Sequence, residues 1–189
     1  MRNDRWFKQN PKVVTPFVDE SVKMNQHGLK VCSYGLSPSG YDLRLKEIKV
    51  RDLDVRNDFI DPKAQWNPPM KALPVATSMD GERFCLIPPR SVAYGSTYET
   101  IAMPRDTAGH LLIKSTYGRL GLSIINPLID PEFVGELTVS FVNNNPVPVY
   151  VFLDEGFAQL VCFNTGGCDV SYHEKGGRYQ YSTGVTDAR

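Results

Sequence analysis

Short strand-like runs, each stopped by a turn signal, constrain this chain more than any other feature. Tyr41-Asp42-Leu43-Arg44-Leu45 alternates apolar and polar residues without a break, and Ile48 to Val55 alternates again. Arg83 to Ile87 stops at Pro88-Pro89, a strand resumes from Ser91 through Ala93, and Glu99 to Met103 and Leu111 to Ile113 follow. Leu122 to Ile125, Leu137 to Val142, Val147 to Phe152 and Phe157 to Phe163 continue the series. About nine such runs fit between Leu43 and Phe163, mostly separated by proline, glycine, asparagine or aspartate. A period of two puts one face of each run toward a core. No long amphipathic helical pattern and no fixed-period repeat interrupts them. The pattern predicts an all-β domain, sandwich or barrel, with a distorted jelly roll the natural solution. A short helical segment is expected in the N-terminal extension, starting at Pro16-Phe17-Val18-Asp19-Glu20-Ser21-Val22, where proline and early acids mark a first turn. Residues 1–30 read as that extension, 31–170 as the β domain and 171–189 as a polar, glycine-flanked tail.

Composition narrows the partners. The chain has 189 residues and is 41% hydrophobic, enough for a core. Twenty-one basic residues balance 21 acidic ones. Nucleic acid and anionic membranes call for a basic excess, so neither is expected. No apolar run of about 18 residues exists to span a membrane. The polar start, Met1 to Asn10, lacks a signal-peptide core, and a cytoplasmic protein is expected. Cys32, Cys85, Cys162 and Cys168 form no CxxC pair and only three histidines are present, so no protein-bound metal is expected. His110 beside an apolar run reads as structural, His173 as solvated, and Trp6 and Trp66 as packing residues.

Against that neutral background one local cluster stands out. Lys114-Ser115-Thr116-Tyr117-Gly118-Arg119 gathers two cations and two hydroxyls, the donors that suit a phosphate chain. Ile129-Asp130-Pro131-Glu132-Phe133-Val134-Gly135 follows, placing a carboxylate on a tight turn between two strands, where it could activate a water. Spacing alone equally allows an ordinary hairpin with a solvated tip. In the tail, tyrosine could stack on a base while arginine and Ser/Thr hold phosphates; a frayed terminus is the plainer alternative.

Taken together, ordered pieces of the chain resemble the dCTP deaminase family of the dCTP deaminase/dUTPase superfamily. They are Ser33-Tyr34-Gly35-Leu36-Ser37 with Gly40-Tyr41-Asp42-Leu43-Arg44-Leu45, Phe59-Ile60-Asp61-Pro62-Lys63, Ile87-Pro88-Pro89 and Pro104-Arg105-Asp106. Lys114-Ser115-Thr116-Tyr117 with Arg119, Pro131-Glu132-Phe133 with Gly135, and Glu155-Gly156 with Ala158-Gln159 follow. Gly176-Gly177-Arg178-Tyr179-Gln180 with Thr183-Gly184-Val185-Thr186 closes the series. The resemblance implies a distorted jelly roll, a homotrimer with sites at subunit interfaces, and a deoxynucleoside triphosphate carrying magnesium on its phosphates. It assigns phosphate binding to Lys114, Ser115, Thr116 and Arg119, places Gln159 in the same site, and brings Tyr172, Arg178 and Tyr179 from the tail.

Two positions depart from the deaminase pattern. Family deaminases carry a segment like Thr-Leu-Glu-Phe-x-Asn, whereas this chain reads Thr138-Val139-Ser140-Phe141-Val142-Asn143, with Ser140 at the glutamate position. Deamination at C4 of cytosine must take a proton from water and give one to ammonia, and serine does this poorly. The deaminase tail motif Tyr-Gln-Gly-Gln-x-Gly becomes Tyr179-Gln180-Tyr181-Ser182-Thr183-Gly184. Both changes are similar to dUTPases, in which an aspartate at the position of Asp130 activates the water that attacks phosphorus. The expected activity is therefore a diphosphatase, converting dUTP or dCTP to the monophosphate and pyrophosphate. A dCTP deaminase with a rewired site and a non-catalytic regulatory trimer remain as alternatives. Glu136, on the face of Thr138 and Ser140 by alternation, is the candidate substitute acid.

Overall fold

The computed structural model describes residues 1–54, 56, 58–63 and 67–188. The chain opens with helix α1 (Asp4–Gln9), capped by the Asn3 side chain, which accepts from the Trp6 amide at 3.2 Å. Thirteen strands follow: β1 (Val14–Thr15), β2 (Ser21–Met24), β3 (Lys30–Ser37), β4 (Gly40–Arg51), β5 (Met70–Ala72), β6 (Ala76–Thr77), β7 (Arg83–Ile87), β8 (Val92–Ala102), β9 (Thr107–Ile113), then helix α2 (Ser115–Arg119), β10 (Leu122–Ile125), β11 (Val134–Asn143), β12 (Val149–Phe152) and β13 (Gly156–Asn164). The all-β expectation is met, with two short α-helices, thirteen strands and two antiparallel sheets among the described residues.

The larger sheet runs β10-β11-β8-β4-β13-β9, with β1 on β8, β2 on β3, and β3 and β5 on β4; the smaller runs β12-β7-β6. Strand β4 joins the halves. Its first part pairs with β3 and β13, its second with β8 and β5. A register shift lies between Leu45 and Glu47. Before it, Tyr41, Leu43 and Leu45 are buried; after it, Ile48 takes over the inward position. The inserted residue reverses the phase of alternation and bends the strand around the core. This is why one twelve-residue strand looks like two separate runs, Tyr41–Leu45 and Ile48–Val55; Val55 lies outside the described residues. Strand β8 likewise absorbs two expected strands. The core between the layers is built from Tyr41, Leu43, Ile101, Phe141, Phe157 and Leu160, all fully buried.

The N-terminal helix forms earlier than expected. Asn3 and Asp4 supply its cap and first-turn acid, and Phe7 enters the core. The segment expected to be helical instead begins at a cis Thr15–Pro16 bond, runs without regular structure over residues 16–20 and enters β2, paired with β3, only at Ser21. The first thirty residues are thus woven into the body: Val13 and Val14 are core residues and β1 pairs with β8. Trp6 packs against the core with partial burial, whereas Trp66 lies outside the described residues. Among the described residues, no helix is long and apolar enough to cross a membrane.

Candidate functional site

The residues singled out from sequence separate into two places. The first surrounds α2. After β9 the Lys114 amide donates to Phe157 O at 3.0 Å, and α2 starts at Ser115. Tyr117 anchors the helix from beneath. It is 2% exposed, and its hydroxyl accepts from the Phe152 amide at 3.2 Å. That orientation leaves Ser115, Thr116 and Arg119 exposed on the outer face. Lys114 turns the other way. Its ammonium pairs with the Asp42 carboxylate and donates to Ser33 Oγ at 3.0 Å. Burial pushes the Asp42 carboxyl up, while the Lys114 hydrogen bond pulls it back. Gln159, opposite Asp42 in register, donates to Ser37 Oγ at 2.6 Å.

Asp42 and Arg44 face the same way on β4, and each pairs with a residue outside the strand, Asp42 with Lys114 and Arg44 with Glu99 of β8, rather than with the other. Arg44 Nε bonds Glu99 at 2.7 Å, with its guanidinium over the rings of Tyr34 and Tyr98 at 4.7 and 4.1 Å. Partners across the sheet lie closer than a side chain two residues along the same strand.

The second place is a cavity of about 600 Å³ in which Asp130, Ser140, Tyr172, Tyr179 and Ser182 meet. Five predicted residues, spread over more than fifty positions of sequence, therefore share one wall system. Ser140 on β11 lies opposite Tyr94 of β8 and Ile125 of β10. Asp130 is fixed by a bridge between Ile129 and Gly109, with bonds of 2.7 and 2.9 Å. It starts the expected tight turn, in which Glu132 adopts a left-handed φ of 62° and pairs with Arg105 at 3.1 Å. Lys175 Nζ bonds the Asp130 carboxylate at 2.7 Å. The tail crosses above: Tyr172 packs edge-on to Phe133 at 5.7 Å, and its hydroxyl accepts from the Tyr179 amide at 3.0 Å.

Glu136 does not join this wall. At the shift between Glu136 and Thr138 the extra residues lie in β8, and Glu136 still shares a face with Thr138, both meeting the tail, whose Thr186 amide donates to Thr138 Oγ1 at 3.0 Å. The Glu136 carboxylate bonds Lys46 Nζ at 2.7 Å and the Gly184 amide at 2.6 Å. Ser182 is stapled to it, Oγ donating to Glu136 O at 2.9 Å. Arg178 and His173 are exposed, and neither lines the cavity. Lys114, Ser115, Thr116, Arg119 and Gln159 do not line it either. Among the described residues no group of three or more His, Cys, Asp or Glu could hold a metal ion.

Sequence reasoning missed Arg51 and Tyr94, which line the cavity with Ser140. Arg51 ends a strand already rich in charge, and its ionic partner, Asp187, lies 136 positions later. No local pattern connects two such residues.

The family model and the curated relatives place this β body in the dCTP deaminase/dUTPase superfamily. Within it, this chain belongs to the dCTP deaminase-like family, whose model matches residues 8–165. It is 34% identical over 192 residues to a dCTP deaminase of Xanthomonas oryzae pv. oryzae strain PXO99A, covering 98% of this chain and 97% of that one. A dCTP deaminase of Xanthomonas axonopodis pv. citri strain 306 is 35% identical over the same length and coverage. The fold matches the crystal structure of 2'-deoxycytidine 5'-triphosphate deaminase from Agrobacterium tumefaciens at a TM-score of 0.52 and 18% identity. That match covers 85% of this chain and 46% of the Agrobacterium chain, so this chain spans under half of that length.

Proposed function

We propose that the protein acts on dCTP as a deaminase, adding water at C4 to give dUTP and ammonia. The observation that carries this reading is the end-to-end match to curated dCTP deaminases. Those relatives lend the diphosphatase expectation no support. In the proposed reaction the cavity takes the base, and the Ser115, Thr116 and Arg119 face takes the triphosphate. These groups do not share one cavity within the chain, which supports a reading in which the site is completed between subunits of a cytoplasmic homotrimer. The Lys114 ammonium, already paired with Asp42, positions α2 rather than gripping a phosphate directly. Magnesium arrives on the phosphates, whose oxygens and waters satisfy its coordination, and neutralises their charge.

Proton transfer is the open chemical demand. Attack on C4 releases a proton from water and needs one at the departing amine. Asp61 and Asp130 are carboxylates that line this cavity with Ser140, and Asp130 follows the tight-turn assignment made from sequence, with Lys175 held beside it at 2.7 Å. In this reading Asp130 takes and returns the proton, and the Ser140 hydroxyl orients the water. The same two groups would also suit in-line attack on phosphorus, and Ser140 in place of glutamate is the specific feature favouring that second reading.

The deciding experiment incubates the protein with dCTP, dUTP and their 5-substituted forms in magnesium and resolves the products. Ammonia and dUTP from dCTP support the proposal. Pyrophosphate and a monophosphate overturn it in favour of the diphosphatase. Tight binding without turnover would instead indicate a regulatory nucleotide-binding trimer.

A further inference from the structure

The cavity floor carries a cation that neither chemistry above uses. The Arg51 side chain is 7% exposed. Its guanidinium lies 5.6 Å from the Tyr94 ring centre, and Nη1 donates to Pro68 O at 2.8 Å. Two further donors go to Asp187: Nη1 to Oδ2 at 3.2 Å, and Nη2 to Oδ1. This two-pronged contact is the geometry by which arginine takes either a carboxylate or a phosphate.

Asp187 arrives on a strap that is fastened lightly. No residue from 182 to 188 is buried. Its holds are polar: the Gly184 amide to Glu136 and the Val185 amide to Glu47, both at 2.6 Å, and the Thr186 amide to Thr138 Oγ1 at 3.0 Å. Water can replace each of these bonds, so the strap can lift without opening the core. Arg51 has no such freedom. A guanidinium this buried is costly without an anion beside it, so something must replace Asp187 when the strap leaves.

We propose that Arg51 is an oxyanion subsite of the cavity and that Asp187 is its internal occupant, displaced when a ligand presents a carboxylate or phosphate group. The tail then acts as a competitor for its own cavity. Only ligands with an oxyanion placed to reach Arg51 gain the full pocket. The proposal does not rest on which nucleotide is used or which bond is broken.

The test is an amide-resolved NMR titration of full-length protein with inorganic phosphate and, separately, acetate, with chloride at matched ionic strength as control. Wild type, Asp187→Asn and the double variant Asp187→Asn with Arg51→Gln are compared, following the amides of Thr138 and Ser140. A strap docked about nine-tenths of the time lowers apparent affinity about tenfold, so Asp187→Asn should bind about tenfold more tightly and the double variant should lose the response. A gain with phosphate alone identifies a phosphate subsite, and a gain with acetate extends it to carboxylates. Equal affinity in wild type and Asp187→Asn, or a response that survives in the double variant, overturns the proposal. Should Arg51→Gln fail to fold, carboxypeptidase digestion of wild type decides: phosphate must speed release of the C-terminal residues beyond the chloride control, and no acceleration refutes displacement.

Discussion

Ser140 sets what the cavity can do with a proton. Its position on β11, facing Tyr94 across the ladder, directs its side chain into the cavity. A hydroxyl there can orient water but cannot hold its proton near neutral pH. If the protein deaminates through Asp130, replacing Ser140 with glutamate adds an acid–base group beside the reacting carbon. Ser140→Glu should then raise the rate of ammonia release from dCTP about 100-fold, with Arg51 on the same floor offering a countercharge. Steady-state ammonia release measures this, and an unchanged rate would remove position 140 from the chemistry. Some single residues were legible from sequence because their type announces a role. Ser115, Thr116 and Arg119, singled out for their donor chemistry, are exposed together on α2. Lys114 shows the limit. Its charge is committed inward to Asp42, 72 positions earlier, and only the folded sheet brings those residues together.

At the scale of elements, alternation made the strands visible and bulges hid their phase. Strand β10 forms over Leu122–Ile125 and β7 over Arg83–Ile87, as their apolar runs indicated. The shift at Leu45/Glu47 was invisible, because an inserted residue leaves composition unchanged while reversing which side chains face the core. The tail is the element whose behaviour follows most directly from charge. Arg105 binds the Glu174 carboxylate with two hydrogen bonds of 2.9 Å and holds its pKa at about 2. Arg51 lowers that of Asp187. A depressed carboxyl contributes stability above its ordinary value, and that contribution is lost as pH falls through the folded value. The tail should therefore stay fastened between pH 7 and pH 4 and loosen as pH approaches about 2. Hydrogen exchange at the Tyr181 and Gly184 amides reports it, after correction for intrinsic exchange rates. Loss of protection already near the ordinary carboxylate range, about pH 4.5, would show that neither clip holds.

The whole molecule poses the question its parts leave open, since the α2 face proposed to take the triphosphate and the cavity have no residue in common. A cyclic assembly solves this by setting the α2 face of one subunit against the cavity of the next, through a heterologous interface that closes on itself. Arg119→Ala should then disable the grip while leaving the cavity intact, and Asp130→Asn should disable the cavity while leaving the grip intact. Each variant alone should be nearly inactive. Dissociated and reassembled together in equal amounts, they form mixed rings. A site works only where an intact grip, from an Asp130→Asn subunit, meets an intact cavity, from an Arg119→Ala subunit. Random assembly creates that pairing at about a quarter of the sites, so dCTP turnover should recover to about a quarter of wild type. If each site lies within one chain, every chain still carries one lesion and mixing restores nothing. A mass measurement showing a stable monomer at working concentration would likewise rule out the shared site. Recovery in the mixture would establish that the two halves, separate within each fold, face one another across the interface.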